Sequence, residues 1–308
     1  MRVYRCIEDF SATNPILTIG MFDGVHAGHR AILRELEQAK KSLNGESVLL
    51  TFWPHPRIFF GKTEGFKMLT TMEEKLELLE QIGLDVCLVL PFSSEFARLS
   101  PENYISQIIH RGIGAKKVVI GYDHKYGHNG SGSFELMQNY GKRMGFEVEQ
   151  VSALTIDEKE ISSTKIRNSI AQGNIETANK FLSYQYFING NVIAGSQIGR
   201  TIGFPTANVQ VNSSYKEIPA KGVYSGTVKV DNIDYQAVIN IGNNPTINTD
   251  LPLSVEVHLL DFSQDIYGKN IRIAFAKKLR DEQQFASLTE LQKAIQNDVK
   301  MVRSKNDI

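Results

Sequence analysis

Gly20-Met21-Phe22-Asp23-Gly24-Val25-His26-Ala27-Gly28-His29 decides the fold of the first half of this chain. It leaves an apolar run, Pro15–Gly20, and enters a segment of helical period, Ala27–Lys40, in which Ile32, Leu33, Leu36 and Ala39 share one face. Strand, glycine-rich turn and amphipathic helix together form one βα unit. Its two histidines, three residues apart, lie on one face of the first helical turn. Gly28 between them lets a ligand approach the backbone closely. The free N–H groups and the positive end of the helix dipole attract phosphate there. Two imidazoles can stabilise the charge that develops on an α-phosphate during nucleotidyl transfer, a reaction that needs positioning and electrostatics more than a covalent nucleophile. An isolated pair at this spacing would equally suit surface or capping histidines. The preceding strand, the surrounding glycines and the clean helix that follows favour the phosphate reading.

The alternation continues outward from this unit. Ser47–Phe52, Val86–Pro91, Val118–Gly121 and Phe146–Val151 have the composition of buried strands, and Met72–Ile82, Glu102–His110 and Phe134–Arg143 that of helices. Such a run predicts a parallel sheet with helices on both faces and ligands beyond the C-terminal ends of its strands. The rhythm changes after about Tyr184. Phe187–Ala194, Gly222–Val230, Tyr235–Ile241, Ser254–Leu260 and Asn270–Ala276 are strand-like, separated by turn residues such as Asn189-Gly190 and Asp231-Asn232. They predict an antiparallel barrel or sandwich. A closing helix is announced by the capping box Ser287-Leu288-Thr289-Glu290 and the stripe Leu291, Ile295, Val299 and Val302. A chain of 308 residues exceeds a typical single core, and the change of rhythm divides it into domains 1–184 and 185–308.

Acids and bases balance at 34 each, which argues against a general polyanion binder and leaves nucleic acid out of the expected partners. Cys6 and Cys87 are distant in sequence and lack metal-ligand spacing, so inert thiols in a reducing compartment are expected. Neither a secretory signal nor a run of the ~20 apolar residues needed to span a bilayer is present. The expectation is a soluble cytoplasmic protein with no membrane partner. Two weaker phosphate patterns fail: Gly61-Lys62-Thr63 has Pro56 where a Walker loop needs glycine, and Gly112-Ile113-Gly114 has Lys117 at the third glycine position of a dinucleotide fingerprint.

A second chemical stretch lies in the strand-rich half. Gly195-Ser196-Gln197-Ile198-Gly199-Arg200-Thr201-Ile202-Gly203-Phe204-Pro205-Thr206-Ala207-Asn208 has three spaced glycines that can wrap a nucleotide, and Thr206 and Asn208 offer hard oxygens suited to Mg²⁺. Pattern alone reads more simply as a β-turn with a structural threonine. Further on, alternation places Val255 and Val257 on one face and Glu256 and His258 on the other. Glu256 therefore need not enter a barrel core, and a solvated carboxylate is the bland reading.

Taken in order, these motifs resemble those of the bacterial bifunctional riboflavin kinase/FAD synthetases, and the resemblance covers nearly the whole chain. The extended loop looks like their GxFDGxHxGH signature. Thr51-Phe52-Trp53-Pro54-His55-Pro56 resembles the family's flavin-side motif, Gly121-Tyr122-Asp123-His124-Lys125-Tyr126-Gly127 its GxDFxFG segment, and Ser162-Ser163-Thr164-Lys165-Ile166-Arg167 its SSTxIR motif. His124 and Tyr126 stand where phenylalanines are usual. The glycine-rich stretch is similar to the riboflavin kinase GxxxGRxxGFPTAN signature. Lys221-Gly222-Val223-Tyr224, Asn240-Ile241-Gly242-Asn243-Asn244-Pro245-Thr246 and Leu279-Arg280-Asp281-Glu282 follow in the family's order.

The resemblance implies an N-terminal HxGH nucleotidyltransferase domain with a Rossmann-like parallel sheet. It implies a C-terminal antiparallel β-barrel riboflavin kinase domain with a terminal helix. In the first, His26, His29 and Arg167 would be catalytic. Gly20, Phe22, Asp23, Gly28, Ser162, Ser163 and Thr164 would surround the ATP phosphates, and Pro54, His55, Pro56 and Asp123 would contact flavin. In the second, Gly195, Gly199 and Gly203 would wrap ATP, Thr206 and Asn208 would hold Mg²⁺, Glu256 would act as general base, and Arg280 would contact flavin. The implied substrates are riboflavin, FMN and ATP.

Overall fold

The computed structural model describes residues 1–156, 159–195, 199, 202–243 and 253–304. The chain separates into two compact units, Met1–Ser163 and Thr164–Ile308.

The first unit is a six-stranded sheet of β1 (Arg2–Tyr4), β2 (Pro15–Ile19), β3 (Glu46–Trp53), β4 (Val86–Pro91), β5 (Lys117–Gly121) and β6 (Glu147–Val151). Its order is β1-β4-β3-β2-β5-β6, and every pairing is parallel. The strand order reverses at β2 and β5, so the loops leaving these two strands flank the switch point where open parallel sheets bind ligands. Both loops carry a motif: Gly20–His29 follows β2 and Tyr122–Gly127 follows β5.

Helix α1 (Ala27–Leu43) buries Ala27, Leu33, Leu36 and Ala39 and ends at Asn44 in the left-handed region. The short α2 (Pro56–Phe59) follows β3. Helix α3 (Met72–Ile82) begins with a full capping box, Thr71 and Glu74 each bonding the other's backbone N–H. Beyond the short α4 (Ser94–Ala97) and α5 (Pro101–Asn103), the helix expected at Glu102–His110 widens into a π-helix over Tyr104–Ile113. Its buried residues, Tyr104, Ile105, Ile109 and Ile113, recur at four or five positions, a spacing that the i→i+5 helix keeps on one face. Helix α6 (Phe134–Met144) is capped by Ser133 and precedes β6, after which β7 (Thr155–Ile156) and β8 (Lys159–Glu160) pair antiparallel.

β6 departs from the expectation of a buried strand. It is the sheet's outer strand and is half exposed, with Lys117 reaching Glu149 at 2.7 Å. A strand paired on one side presents its flank to water, which glutamates at 147 and 149 accept. β1 was not legible: three residues, two of them charged or polar, carry no period.

The second unit begins with α7 (Ser163–Ala171, entered from the first unit) and α8 (Ile175–Leu182). Asn179 ties α8 to the barrel, donating to the Phe275 carbonyl at 2.9 Å and accepting from the Tyr186 N–H at 2.7 Å. The barrel comprises β9 (Phe187–Ile193), β10 (Ala207–Val211), β11 (Gly222–Val230), β12 (Ile233–Gly242), β13 (Ser254–Leu259) and β14 (Asn270–Arg280). It closes in the order β10-β13-β12-β11-β14-β9, all antiparallel. Closure removes free strand edges. Ile239, Ile241, Val255, Val257, Ile273 and Phe275 are buried, and the residues alternating with them face outward. Asp231 and Asn232, both at positive φ (49° and 67°), make the tight β11–β12 turn.

Helix α9 (Leu288–Arg303) lays Val302 and Val299 over Val223, Val238 and Leu260 on the barrel's outside. Its cap differs from the expected box. Ser287 accepts from Glu290 N–H, but the Glu290 carboxylate takes the N–H of Ala286, one residue further out.

Candidate active sites

In the first unit the loop after β2 is held open by strain and by one carboxylate. Gly20 ends the strand, donating to Leu50 carbonyl at 3.0 Å. Phe22 and Val25 then adopt φ of 48° and 38°, conformations that cost roughly 1–3 kcal/mol each for side chains of this size. Asp23, only 4% exposed, offsets that cost. Its oxygens accept from Leu69 N–H, Thr70 N–H and the Thr70 hydroxyl, at 3.0 to 3.2 Å, immediately before the N-cap of α3. Thr70 also receives the Gly24 N–H, and the Val25 carbonyl takes Arg30 Nε. Asp23 thus faces protein donors and fixes the loop.

The fixed loop places the histidines. His26 is the N-cap of α1, its Nδ1 accepting from His29 N–H at 3.3 Å. The two imidazoles stack at 3.6 Å between centroids and 16° between planes, and Phe22 stacks on His29 from the other side at 4.4 Å. A Cβ at Gly28 would stand 3.2 Å from the His26 ring, so the ring lies on the bare backbone there. Burial, reinforced by His26 and by Lys75, drives the His29 imidazole well below its ordinary value, which favours its neutral form. Its Nδ1 is buried with no hydrogen-bond partner among the described residues. Ser163, at the start of α7, donates to the Asp23 carbonyl at 2.9 Å, and Ser162 precedes it. Thr164 and Arg167 lie in the second unit and are joined there at 3.4 Å.

Beside the loop, at the C-terminal ends of the strands, is a cavity of about 710 Å³. Its walls are aromatic, from Phe52, Phe92, Phe96, Tyr104 and Tyr126, and Gly20, Pro56, Asp123 and His124 also line it. This size suits a drug-sized or cofactor-sized molecule. Burial pushes the His124 imidazole down to about 4 and the Tyr104 phenol up. Pro54, joined to Trp53 by a cis bond, and His55 lie in the chain between the lining residues Phe52 and Pro56 but are not themselves in the lining. His55 caps α2 by accepting from Arg57 N–H at 3.1 Å and rests on Phe66.

On the barrel, the antiparallel register draws one row across five strands: Asn208 opposite Glu256, Glu256 opposite Asn240, Asn240 opposite Val223, and Val223 opposite Arg280. Directly opposed residues point to the same face, and here it is the outer one, because Val255, Val257, Ile239 and Ile241 fill the interior. Glu256 hydrogen-bonds Thr206. Burial raises its carboxyl above the ordinary range and that bond partly opposes the rise. The glycines crowd these polar groups. A Cβ on Gly195 would collide with the Asn208 carboxamide, and one on Gly199 would strike the Phe204 carbonyl and approach the Thr206 hydroxyl at 3.3 Å. Gly203 sits in the turn before Phe204. His258 fixes the same segment through the Pro205 carbonyl at 2.8 Å. Thr206 also borders a second cavity of about 410 Å³, with Leu259, Phe262, Ile266 and Tyr267 among its walls. Arg200 and Asn244-Pro245-Thr246 lie outside the described residues.

Arg280, expected at the flavin, is held by the terminal helix. Its Nε and Nη2 grip Asp298 of α9 at 3.1 and 2.8 Å, Nη1 reaches the Asp281 carbonyl, and the guanidinium lies 5.6 Å from the Phe285 ring. Asp298 is 1% exposed. In this arrangement Arg280 anchors the terminal helix to the barrel. Two other residues escaped the sequence reading. Lys75, buried on α3, interacts electrostatically with Asp23 and His29. Asn240 is brought beside Glu256 by register alone.

A stacked histidine pair at the switch point of a parallel sheet, joined in one chain to a closed barrel with an outward carboxylate, defines a two-domain transferase. The FAD synthetase family model matches residues 9–165 and the riboflavin kinase model residues 182–305. The bifunctional riboflavin kinase/FMN adenylyltransferase of Escherichia coli (strain K12) is 37% identical over 302 residues, covering 97% of this chain and 96% of that one. The protein of the same description from Bacillus subtilis (strain 168) is 39% identical over 287 residues, covering 92% and 90%. A crystal structure described as a macrolide-efflux protein from Streptococcus pneumoniae has a TM-score of 0.90 at 29% identity and covers 98% of each chain. Among the described residues no helix is long and apolar enough to cross a membrane. The chain belongs to the bifunctional riboflavin kinase/FMN adenylyltransferase family. It is an enzyme with both activities, FMN adenylylation and riboflavin phosphorylation; the FAD synthetase model falls on the α/β half and the riboflavin kinase model on the barrel half.

Proposed function

We propose that the two reactions use the two sites described, with residues 1–184 serving adenylyl transfer and 185–308 the kinase. Residues 164–182 belong to the second compact unit, where Asn179 ties α8 to β14. In adenylyl transfer the FMN phosphate attacks the α-phosphorus of ATP and pyrophosphate leaves. His26 and His29 stabilise the charge on the α-phosphate, Arg167 and the Ser162–Thr164 turn bind the phosphates, and Gly20, Phe22 and Gly28 shape the loop that receives them. Asp23 acts by holding that loop. The 710 Å³ aromatic cavity takes the flavin ring, with Pro56 and Asp123 in its lining and Pro54 and His55 contacting the flavin from the segment between Phe52 and Pro56. The observation that carries this reading is the stacked histidine pair on a strained loop beside that cavity.

In the kinase, Glu256 accepts the proton of riboflavin's primary hydroxyl as that oxygen attacks the γ-phosphorus and ADP leaves. Gly195, Gly199 and Gly203 wrap the nucleotide, whose base enters the cavity beside Thr206. Thr206 and Asn208 hold Mg²⁺. Their donor set is two neutral oxygens, and among the described residues no cluster of three or more His, Cys, Asp or Glu forms a cage. Such a set fits an ion bound mainly through phosphate oxygens and water, which would neutralise charge on the transferring phosphate. A cytoplasmic site of action accords with two unpaired thiols, Cys6 and Cys87. Purified protein incubated with riboflavin, ATP and Mg²⁺ is expected to accumulate FMN and then FAD. Metal-independent turnover would remove the Mg²⁺ assignment.

A further inference from the structure

Glu256 has two cross-strand neighbours, and they are chemically unequal. On the β10 side stands Asn208, with Thr206 hydrogen-bonded to Glu256 itself and the glycine-rich segment packed on both. On the β12 side stands Asn240, half-buried and turned to the same outer face. Opposed side chains in such a ladder have Cβ atoms about 4.5–5.5 Å apart. Among the described residues the Asn240 carboxamide makes no hydrogen bond, although its Nδ2 lies over Gly242, whose bare backbone also carries the Glu282 carboxylate.

Phosphoryl transfer requires the attacking and leaving oxygens to be roughly in line across the phosphorus. If the nucleotide occupies the Thr206–Asn208 side of Glu256, the hydroxyl-bearing substrate must approach from the other side, over Asn240. Riboflavin presents there a chain of vicinal hydroxyls, of which only the primary one is phosphorylated. A carboxamide both donates and accepts, as a hydroxyl does. We infer that Asn240 is a positioning residue of the kinase, binding the secondary hydroxyl next to the primary one and so presenting the primary oxygen to Glu256. Glu256 takes the proton, the new O–P bond forms at the γ-phosphorus, and the bond to the ADP oxygen breaks. The inference rests on the reading of Glu256 as general base.

Its test pairs a variant with a substrate analogue. Riboflavin kinase kcat/KM is measured for the native enzyme and for Asn240→Ala, each with riboflavin and with an analogue lacking that secondary hydroxyl. With riboflavin, Asn240→Ala is expected to lose about tenfold, the size of one hydrogen bond in a site otherwise intact. The analogue should cost the native enzyme a similar factor and the variant no more than about twofold. Equal losses in both enzymes would overturn the inference, as would full activity of Asn240→Ala on riboflavin. Thermal melting of the variant separates misfolding from lost positioning, and Asn240→Ser, which keeps a donor and an acceptor, should recover part of the riboflavin rate. Glu256→Gln is run alongside. If it retains the native kcat, the general-base reading fails whatever the analogue shows.

Discussion

In the histidine loop, ten consecutive residues supply the glycines, the anchoring carboxylate and both imidazoles. On the barrel, Asn208, Glu256 and Asn240 come from three strands and meet only because the ladder register aligns them. The first site is buried and prestrained, with Phe22 and Val25 in the left-handed region and His26 6% exposed. The second lies on an outer face and is crowded by glycine backbone. One site stores its geometry in local conformation, the other in the closure of the barrel. They should therefore fail differently. The loop is sensitive to the residue that holds its backbone, the barrel row to substitutions that move a strand or a covering segment.

The sharpest way to break this contrast is Asp23→Ala. It frees the Leu69 and Thr70 N–H groups and releases the loop, and a displacement near 1 Å at reacting groups costs about 100-fold. FMN adenylylation should fall by at least that factor while riboflavin phosphorylation changes little. Comparable loss of both rates, in a protein that melts normally, would show that the loop does not serve one site alone. Large in stability rather than in rate is the effect of Arg280→Ala. Removing one partner of a buried pair typically costs about 3–5 kcal/mol, and Asp298 is almost wholly enclosed. Chemical denaturation should register this as a lower midpoint for the barrel unit. A normal midpoint with a raised KM for riboflavin would restore Arg280 as a flavin contact.

Smaller effects come from pH. Burial raises the Glu256 carboxyl, so its protonated form persists above the ordinary glutamate range. A base must be ionised, and the acid limb of kinase kcat/KM is therefore expected at a pH higher than ~4.3, the value of a free glutamate. His29 moves the opposite way. Its folded-state value lies below the unfolded one, so the folded form binds fewer protons. Stability associated with it is present above the unfolded value of ~6.5 and declines as the pH falls below it. Melting of the first unit between pH 7 and 5 measures this, and His29→Asn should flatten the decline.

The same contrast explains what could be seen in the sequence. The α/β alternation, the helix over Met72–Ile82, the histidine loop and the outward side of Glu256 depend on neighbours within a few residues, and all were legible. The role of Asp23 as an anchor was not, because Leu69 and Thr70 lie 46 and 47 residues away. β10 was hidden because Ala207–Val211 begins inside the nucleotide signature, whose last two residues are Ala207 and Asn208. Arg280 carries a flavin-side motif, and its partner, Asp298, sits 18 residues on in a helix whose start and apolar stripe were legible but whose ion pair was not. Asn240 carries no local signal beyond a turn motif. Its place beside Glu256 follows from barrel register, which no short stretch of sequence specifies.

The central claim is that two separable sites in one chain carry the two reactions. The most direct measurement is a reciprocal pair of variants, His29→Ala and Glu256→Gln, each assayed with riboflavin plus ATP and, separately, with FMN plus ATP. His29→Ala is expected to make FMN from riboflavin and stop there, and Glu256→Gln to leave riboflavin untouched yet convert supplied FMN to FAD. Loss of both reactions in either variant, with the fold intact, would contradict the two-site account.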